Sequence, residues 1–182
     1  MKIYVVRHGQ TEWNVQKRVM GRVDAPLTEV GLEQAQEVGD KLKNIQIDLI
    51  ICSPLKRAKQ TAEIINKDRN VPIIYDDRII ERYFGMLEGV LIDSISFNDY
   101  WDYYKNLDDN DIETMHEMFE RIYNFLDDIK EKYKDKKILL VTHGGVGMPM
   151  NCYFQNDIPK GSLRELGFQL KNCELKEYEY RS

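Results

Sequence analysis

The chain has 182 residues, 42% of them apolar, with 26 Lys and Arg against 31 Asp and Glu for a formal charge of -5. That length suits one domain, residues 1–182, with room for a core and a small inserted cap. The acidic balance excludes diffuse attraction to nucleic acid or an anionic membrane, so any anion must be captured locally.

Lys2–Val6 is an apolar run of buried-strand length, and it stops at Arg7-His8-Gly9. The same two polar residues interrupt any secretory core, and no apolar run approaches a membrane span, so a soluble, cytoplasmic protein is expected. Leu32, Ala35, Gly39 and Leu42 then follow helical spacing. Asp48–Cys52 predicts a second strand, and Ser53-Pro54 reads as an N-cap with proline in the first turn. Leu55, Ala58, Ala62 and Ile65 continue that helix, which carries Arg57 at its start.

Ile73–Tyr75 predicts a short strand. Farther on, Asn110 with Glu113 resembles a capping box for the helix whose stripe is Met115, Met118, Phe119, Ile122, Phe125, Leu126 and Ile129. An EF-hand reading of the acidic segment fails because Glu113 stands where a glycine is required. Lys137–Val141 predicts the next strand, running into Thr142-His143-Gly144-Gly145. Phe168–Leu170 with Leu175–Tyr178 predicts a C-terminal edge ribbon. The alternation argues for a three-layer α/β/α sandwich on a mostly parallel central sheet, with a small helical cap insertion at about 90–115.

Ligands of open α/β sheets bind beyond the carboxyl ends of the strands, so Arg7, His8, Arg57 and His143 converge on one expected site. Two permanently charged guanidiniums suit a phosphate and oppose a metal dication. No metal site is therefore expected. Neither a P-loop nor a dinucleotide fingerprint is present, so no nucleotide cofactor is indicated. Cys52, Cys152 and Cys173 have no C-x-x-C spacing and are expected to be reduced and mostly buried. A cysteine-phosphatase reading of Cys52 fails because only four residues separate it from Arg57. His116, inside a helical stripe, is expected to be structural.

Five blocks carry a family resemblance: RHGQTEWN (7–14), GRVDAPLTEVGLEQA (21–35), CSPLKRAKQTA (52–62), ERYFGMLEG (81–89) and VTHGG (141–145). In this order they resemble the histidine phosphatase superfamily, the phosphoglycerate mutase-like proteins. The resemblance implies a phosphohistidine mechanism with His8 as nucleophile, its other ring nitrogen donating to the Gly9 carbonyl. It implies phosphate binding by Arg7, Asn14, Arg57, His143 and Gly144, and a proton-donor role for Glu81. From the residues alone, Glu81 reads as a surface carboxylate paired with Arg78 or Arg82, and Glu88 is its rival. His143 acts best protonated, which the two arginines oppose.

The expected activity is metal-independent hydrolysis of a small-molecule phosphoester. Relatives acting on α-ribazole phosphate, sugar phosphates or 3-phosphoglycerate are all compatible. A mutase needs extra cations, yet residues 90–115 contain Lys105 as their only basic residue among Asp93, Asp99, Asp102, Asp108, Asp109, Asp111 and Glu113. Met20 before Gly21 and Val146-Gly147-Met148-Pro149-Met150 after the second motif also depart from the mutase pattern. A phosphoglycerate mutase and a non-catalytic phosphate-binding pseudophosphatase are the alternatives. Tyr100, Trp101, Tyr103 and Tyr104 are expected to pack the cap on the body rather than select substrate. The sequence carries no signal for an oligomeric state.

Overall fold

Alternation within the strands decides how the layers form. In the computed structural model, which describes residues 1–108 and 111–180, strand β1 (Lys2–Arg7) sends Ile3 and Val5 to one face and Tyr4 and Val6 to the other. Strands β2 (Leu49–Cys52) and β4 (Ile138–Thr142) divide in the same way. Both faces are therefore apolar and both are covered, as a parallel sheet requires. Helices α2 (Glu29–Leu42) and α3 (Lys56–Asn66) pack on the Tyr4 and Val6 side. Helices α4 (Met115–Lys132) and α5 (Gly147–Gln155) pack on the Ile3 and Val5 side.

With β3 (Ile73–Tyr75) and β5 (Leu175–Glu179), the sheet order is β3-β2-β4-β1-β5. All pairs are parallel except β1 with β5. The three-layer sandwich is as expected. The seven stripe residues of α4 are all buried, so truncating one of them, Phe125, would cost about 3–5 kcal/mol.

Several local expectations differ from the structure. The α3 cap is Leu55 rather than Ser53, because the Ser53 hydroxyl is committed to His143. Asp24, from a distant loop, supplies the missing acceptor: its Oδ2 accepts the Lys56 N–H at 2.8 Å. Leu32 is 36% exposed, and the buried face of α2 is Gly31, Ala35, Val38 and Leu42. Thr114 and Glu117 form the capping box of α4; Asn110 lies outside the described residues.

Phe168–Leu170 forms no strand. The Phe168 and Leu170 N–H groups donate to Leu163 and Gly144 carbonyls instead, while β5 alone covers the free edge of β1. Helix α5 has no sequence signature, since every residue from Gly147 to Cys152 is buried and no amphipathic stripe exists.

The segment expected as a helical cap contains short 3-10 turns at Ile92–Ser94 and Phe97–Trp101. Trp101 is buried edge-on against Phe84 and Phe97, and Tyr103 packs on Phe119 and His116. Tyr104 is 58% exposed. The aromatic cluster is chiefly packing, as expected. Cys52 and Cys152 are buried, Cys173 is partly so, and all three are free. Among the described residues no helix is long and apolar enough to cross a membrane.

Candidate active site

Strands β1 and β4 are parallel neighbours with Arg7 opposite Thr142, so His8 and His143 leave the sheet side by side. Their ring centroids lie 5.2 Å apart at an interplanar angle of 58°. Both side chains are buried, at 2% and 0% exposure.

The His8 Nδ1 donates to the Gly9 carbonyl at 2.8 Å. A carbonyl oxygen only accepts, so the proton sits on Nδ1 and the lone pair is on Nε2. Burial, then the charges of Arg57 and Arg7, hold the pKa of His8 well below the ordinary imidazole value. A neutral ring of fixed tautomer results. The Gly9 N–H is held by Thr61 Oγ1 at 3.1 Å, and a Cβ on Gly9 would lie 2.3 Å from the Gly31 carbonyl oxygen. Only glycine allows α2 to approach this closely.

For His143, the Nε2 lies 2.6 Å from Ser53 Oγ, whose oxygen also accepts the Leu55 N–H at 3.4 Å. Ser53 thus occupies Nε2, and the other ring nitrogen is Nδ1. That Nδ1 is buried with no partner among the described residues. Burial, then Arg57, His8 and Arg7, push the His143 pKa well below its ordinary value.

Arg57 is 1% exposed, and its fork closes on the 21–24 loop: Nη2 donates to the Gly21 carbonyl at 2.6 Å, and Nη1 to the Val23 carbonyl at 2.9 Å and Asp24 Oδ1 at 3.0 Å. Arg7 Nη1 donates to the Leu170 carbonyl at 2.9 Å. Both guanidiniums keep a buried Nε without a partner among the described residues. Burial pushes the Arg7 pKa down to about 10, so it remains a cation at neutral pH. Gly144 abuts this guanidinium, and a Cβ there would lie 3.2 Å from Arg7 Cζ.

Asn14 closes the turn α1 (Glu12–Val15), its Oδ1 accepting from Thr11 and from Asn172 Nδ2. Asn172 also donates to the His8 carbonyl at 3.1 Å. Sequence reasoning missed this bridge, and no signal in the C-terminal segment announced it.

The two candidate carboxylates are separated by their partners. Glu81 accepts the Gly145 N–H on Oε2 at 3.2 Å and the Arg82 N–H on Oε1 at 2.9 Å. The surface pairing with Arg78 or Arg82 is not formed, since Arg78 pairs with Asp76 and Asp128, and Arg82 donates from its side chain to the Glu113 and Tyr100 carbonyls. A Cβ on Gly145 would lie 2.5 Å from Glu81 Oε1, which shows how closely that carboxylate approaches the VTHGG loop. Glu88 instead accepts backbone N–H groups of Arg22, Val23 and Phe84 at 2.9 to 3.1 Å. It is a loop clamp.

Cys52 is fully buried, and burial pushes its thiol up to about 12, so no thiolate is available. The site thus gathers Arg7, His8, Asn14, Arg57, Glu81, His143 and Gly144, and adds Asp24, Ser53 and Asn172 as supports.

The family model "Histidine phosphatase superfamily (branch 1)" matches residues 3–182. The chain is 35% identical over 183 residues to "Uncharacterized phosphatase PhoE" of Bacillus subtilis, covering 98% of this chain and 91% of that one. It is 33% identical over 187 residues to "Probable phosphoglycerate mutase GpmB" of Salmonella arizonae, covering 100% and 86%. Among solved structures, "Bacillus stearothermophilus YhfR" superposes with a TM-score of 0.81 at 31% identity, covering 89% of this chain and 83% of that chain. The chain belongs to the histidine phosphatase superfamily, branch 1.

Proposed function

We propose that the protein is a phosphatase that hydrolyses a small phosphomonoester without a metal, through a phosphohistidine on His8. The observation that carries this reading is the His8 tautomer: Nδ1 is tied to the Gly9 carbonyl and the basic Nε2 is left for phosphorus. In the first step Nε2 attacks in line and the P–O bond to the alcohol breaks, with Glu81 giving its proton to the leaving oxygen. In the second step Glu81 takes a proton from water, which displaces the phosphoryl group from His8 as inorganic phosphate.

Arg7 and Arg57 neutralise charge on the equatorial oxygens, with Asn14 and the Gly144 backbone as neutral donors. His143 donates from Nδ1 in its neutral state, which reconciles its role with the two arginines that oppose its protonation. The insertion at about 90–115 acts as a small cap on a single domain, residues 1–182. Within that segment Lys105 is paired with Asp99 at 2.5 Å, so it adds no free cation, which favours hydrolysis over mutase chemistry.

The test is phosphate release from p-nitrophenyl phosphate and 3-phosphoglycerate by chelator-treated protein. Turnover that survives EDTA is expected. Loss of turnover with EDTA would favour a metallophosphatase. Conversion of 3-phosphoglycerate to an isomer without phosphate release would favour the mutase, and phosphate binding without turnover of either ester would favour the pseudophosphatase.

A further inference from the structure

Glu81 and the phosphate cations reach the site on separate segments, so their spacing depends on whatever ties those segments together. Arg22 lies in the 21–24 loop, between the Gly21 and Val23 carbonyls that accept from the Arg57 fork. Its side chain crosses to the segment that carries Glu81: Nε donates to the Glu81 carbonyl at 3.2 Å, and Nη2 donates to Glu113 Oε2 at 3.4 Å. Among the described residues no other donor reaches that carbonyl. The guanidinium also lies over the Tyr83 ring, 5.5 Å from its centroid.

Glu113 holds the far end of this link in place. Its side chain is only 10% exposed, and it accepts from Arg121 Nε, from Arg121 Nη2 at 2.9 Å and from the Tyr83 N–H at 3.3 Å. Arg121 in turn donates to the Arg78 carbonyl at 2.6 Å. A fixed carboxylate thus aims Arg22 at the backbone of Glu81. The Glu81 carboxylate is itself held by two backbone N–H groups, those of Arg82 and Gly145. Its place therefore follows from where its own backbone sits.

We propose that Arg22 is a positioning residue for the reaction: its Nε–H pins the Glu81 backbone to the loop that grips Arg57, and so sets the distance between the proton donor and the phosphoryl group. The inference rests on the phosphatase reading above. The Arg22 side chain is 38% exposed and its ion pair is long, so it adds little to stability. Its contribution is geometric. Misplacing a general acid by about an ångström costs much of its effect while leaving nucleophilic attack on phosphorus intact.

The experiment compares Arg22→Gln with Arg22→Met. Glutamine carries its amide nitrogen at the same place along the side chain as arginine carries Nε, so Arg22→Gln keeps the donor and loses the charge. Arg22→Met loses both. The readout is the ratio of kcat/KM for p-nitrophenyl phosphate to that for phenyl phosphate, esters of similar shape whose leaving phenols differ in their need for a proton. Arg22→Met is expected to raise this ratio about fivefold or more over wild type, and Arg22→Gln by less than about twofold. Both variants should melt close to wild type. In a Glu81→Gln background Arg22→Met should raise the ratio no further, because the group it positions is gone.

An unchanged ratio in Arg22→Met, equal rises in the two variants, or a rise that persists in full in the Glu81→Gln background would overturn the role of Arg22 and leave the phosphatase reading intact. A melting temperature far below wild type in both variants would also overturn it, by making Arg22 a residue of the fold. Absence of any hydrolysis by the wild-type protein would overturn the phosphatase reading, and the role of Arg22 with it.

Discussion

His8 and His143 stand 5.2 Å apart, delivered by adjacent parallel strands whose last residues, Arg7 and Thr142, are in register. One sheet therefore sets the spacing of both rings, and neither depends on a flexible loop. The same burial that fixes them also keeps them neutral, and this has a consequence for stability.

Both imidazoles are held well below the histidine reference of 6.5, by burial first and by nearby guanidiniums next. The unfolded chain takes up these protons as the pH falls through about 6.5, while the folded protein does not. The stability contributed by the neutral rings is thus complete above that pH and is lost toward the depressed folded values. The melting temperature is expected to be flat from about pH 8 to 7 and to fall between about pH 6.5 and 5. His143→Asn should flatten this fall, and an identical slope in the variant would refute the assignment.

Glu81 and Glu88 are expected to separate kinetically. Glu81→Gln should slow esters of poor leaving alcohols by about 100-fold or more, and p-nitrophenyl phosphate far less, because only the former need a proton. Glu88→Ala removes the acceptor from three backbone N–H groups and should cost about 2 kcal/mol of stability. Its rate losses should be similar on both esters. Equal losses for Glu81→Gln would transfer the donor role elsewhere.

Asp24 both caps α3 and pairs with Arg57. Asp24→Ala should lower stability by about 2 kcal/mol, less than a fully buried pair because Asp24 is 24% exposed. It should also raise KM by loosening the Arg57 fork from the 21–24 loop. Unaltered KM with reduced stability would confine Asp24 to the fold.

The strands and α4 were legible because covered strands demand continuous apolar runs and a buried helix face demands a stripe. Helix α5 was not, since it is buried all along its first two turns and has no polar face to set the period. Arg7, His8, Arg57 and His143 were legible because strand ends and a following helix start place them without reference to tertiary detail. The local pattern of Ser53 fits a cap, but a hydroxyl 2.6 Å from a buried imidazole makes the stronger bond. Asp24 and Asn172 reach the site from segments distant in sequence, which no local pattern reports. For Glu81 the residues alone favoured a surface ion pair, and the family resemblance singled it out as the candidate donor.

Rapid quench of the protein with a slowly dephosphorylating phosphoester, followed by alkaline digestion and mass spectrometry, tests whether His8 is the nucleophile. A phosphoryl group on the peptide containing Arg7 and His8 is expected. It should be absent in His8→Ala, which should stay folded and lose turnover by several powers of ten. An active wild-type enzyme with no phosphohistidine at His8, or a His8→Ala variant within about tenfold of wild-type turnover, would contradict the mechanism.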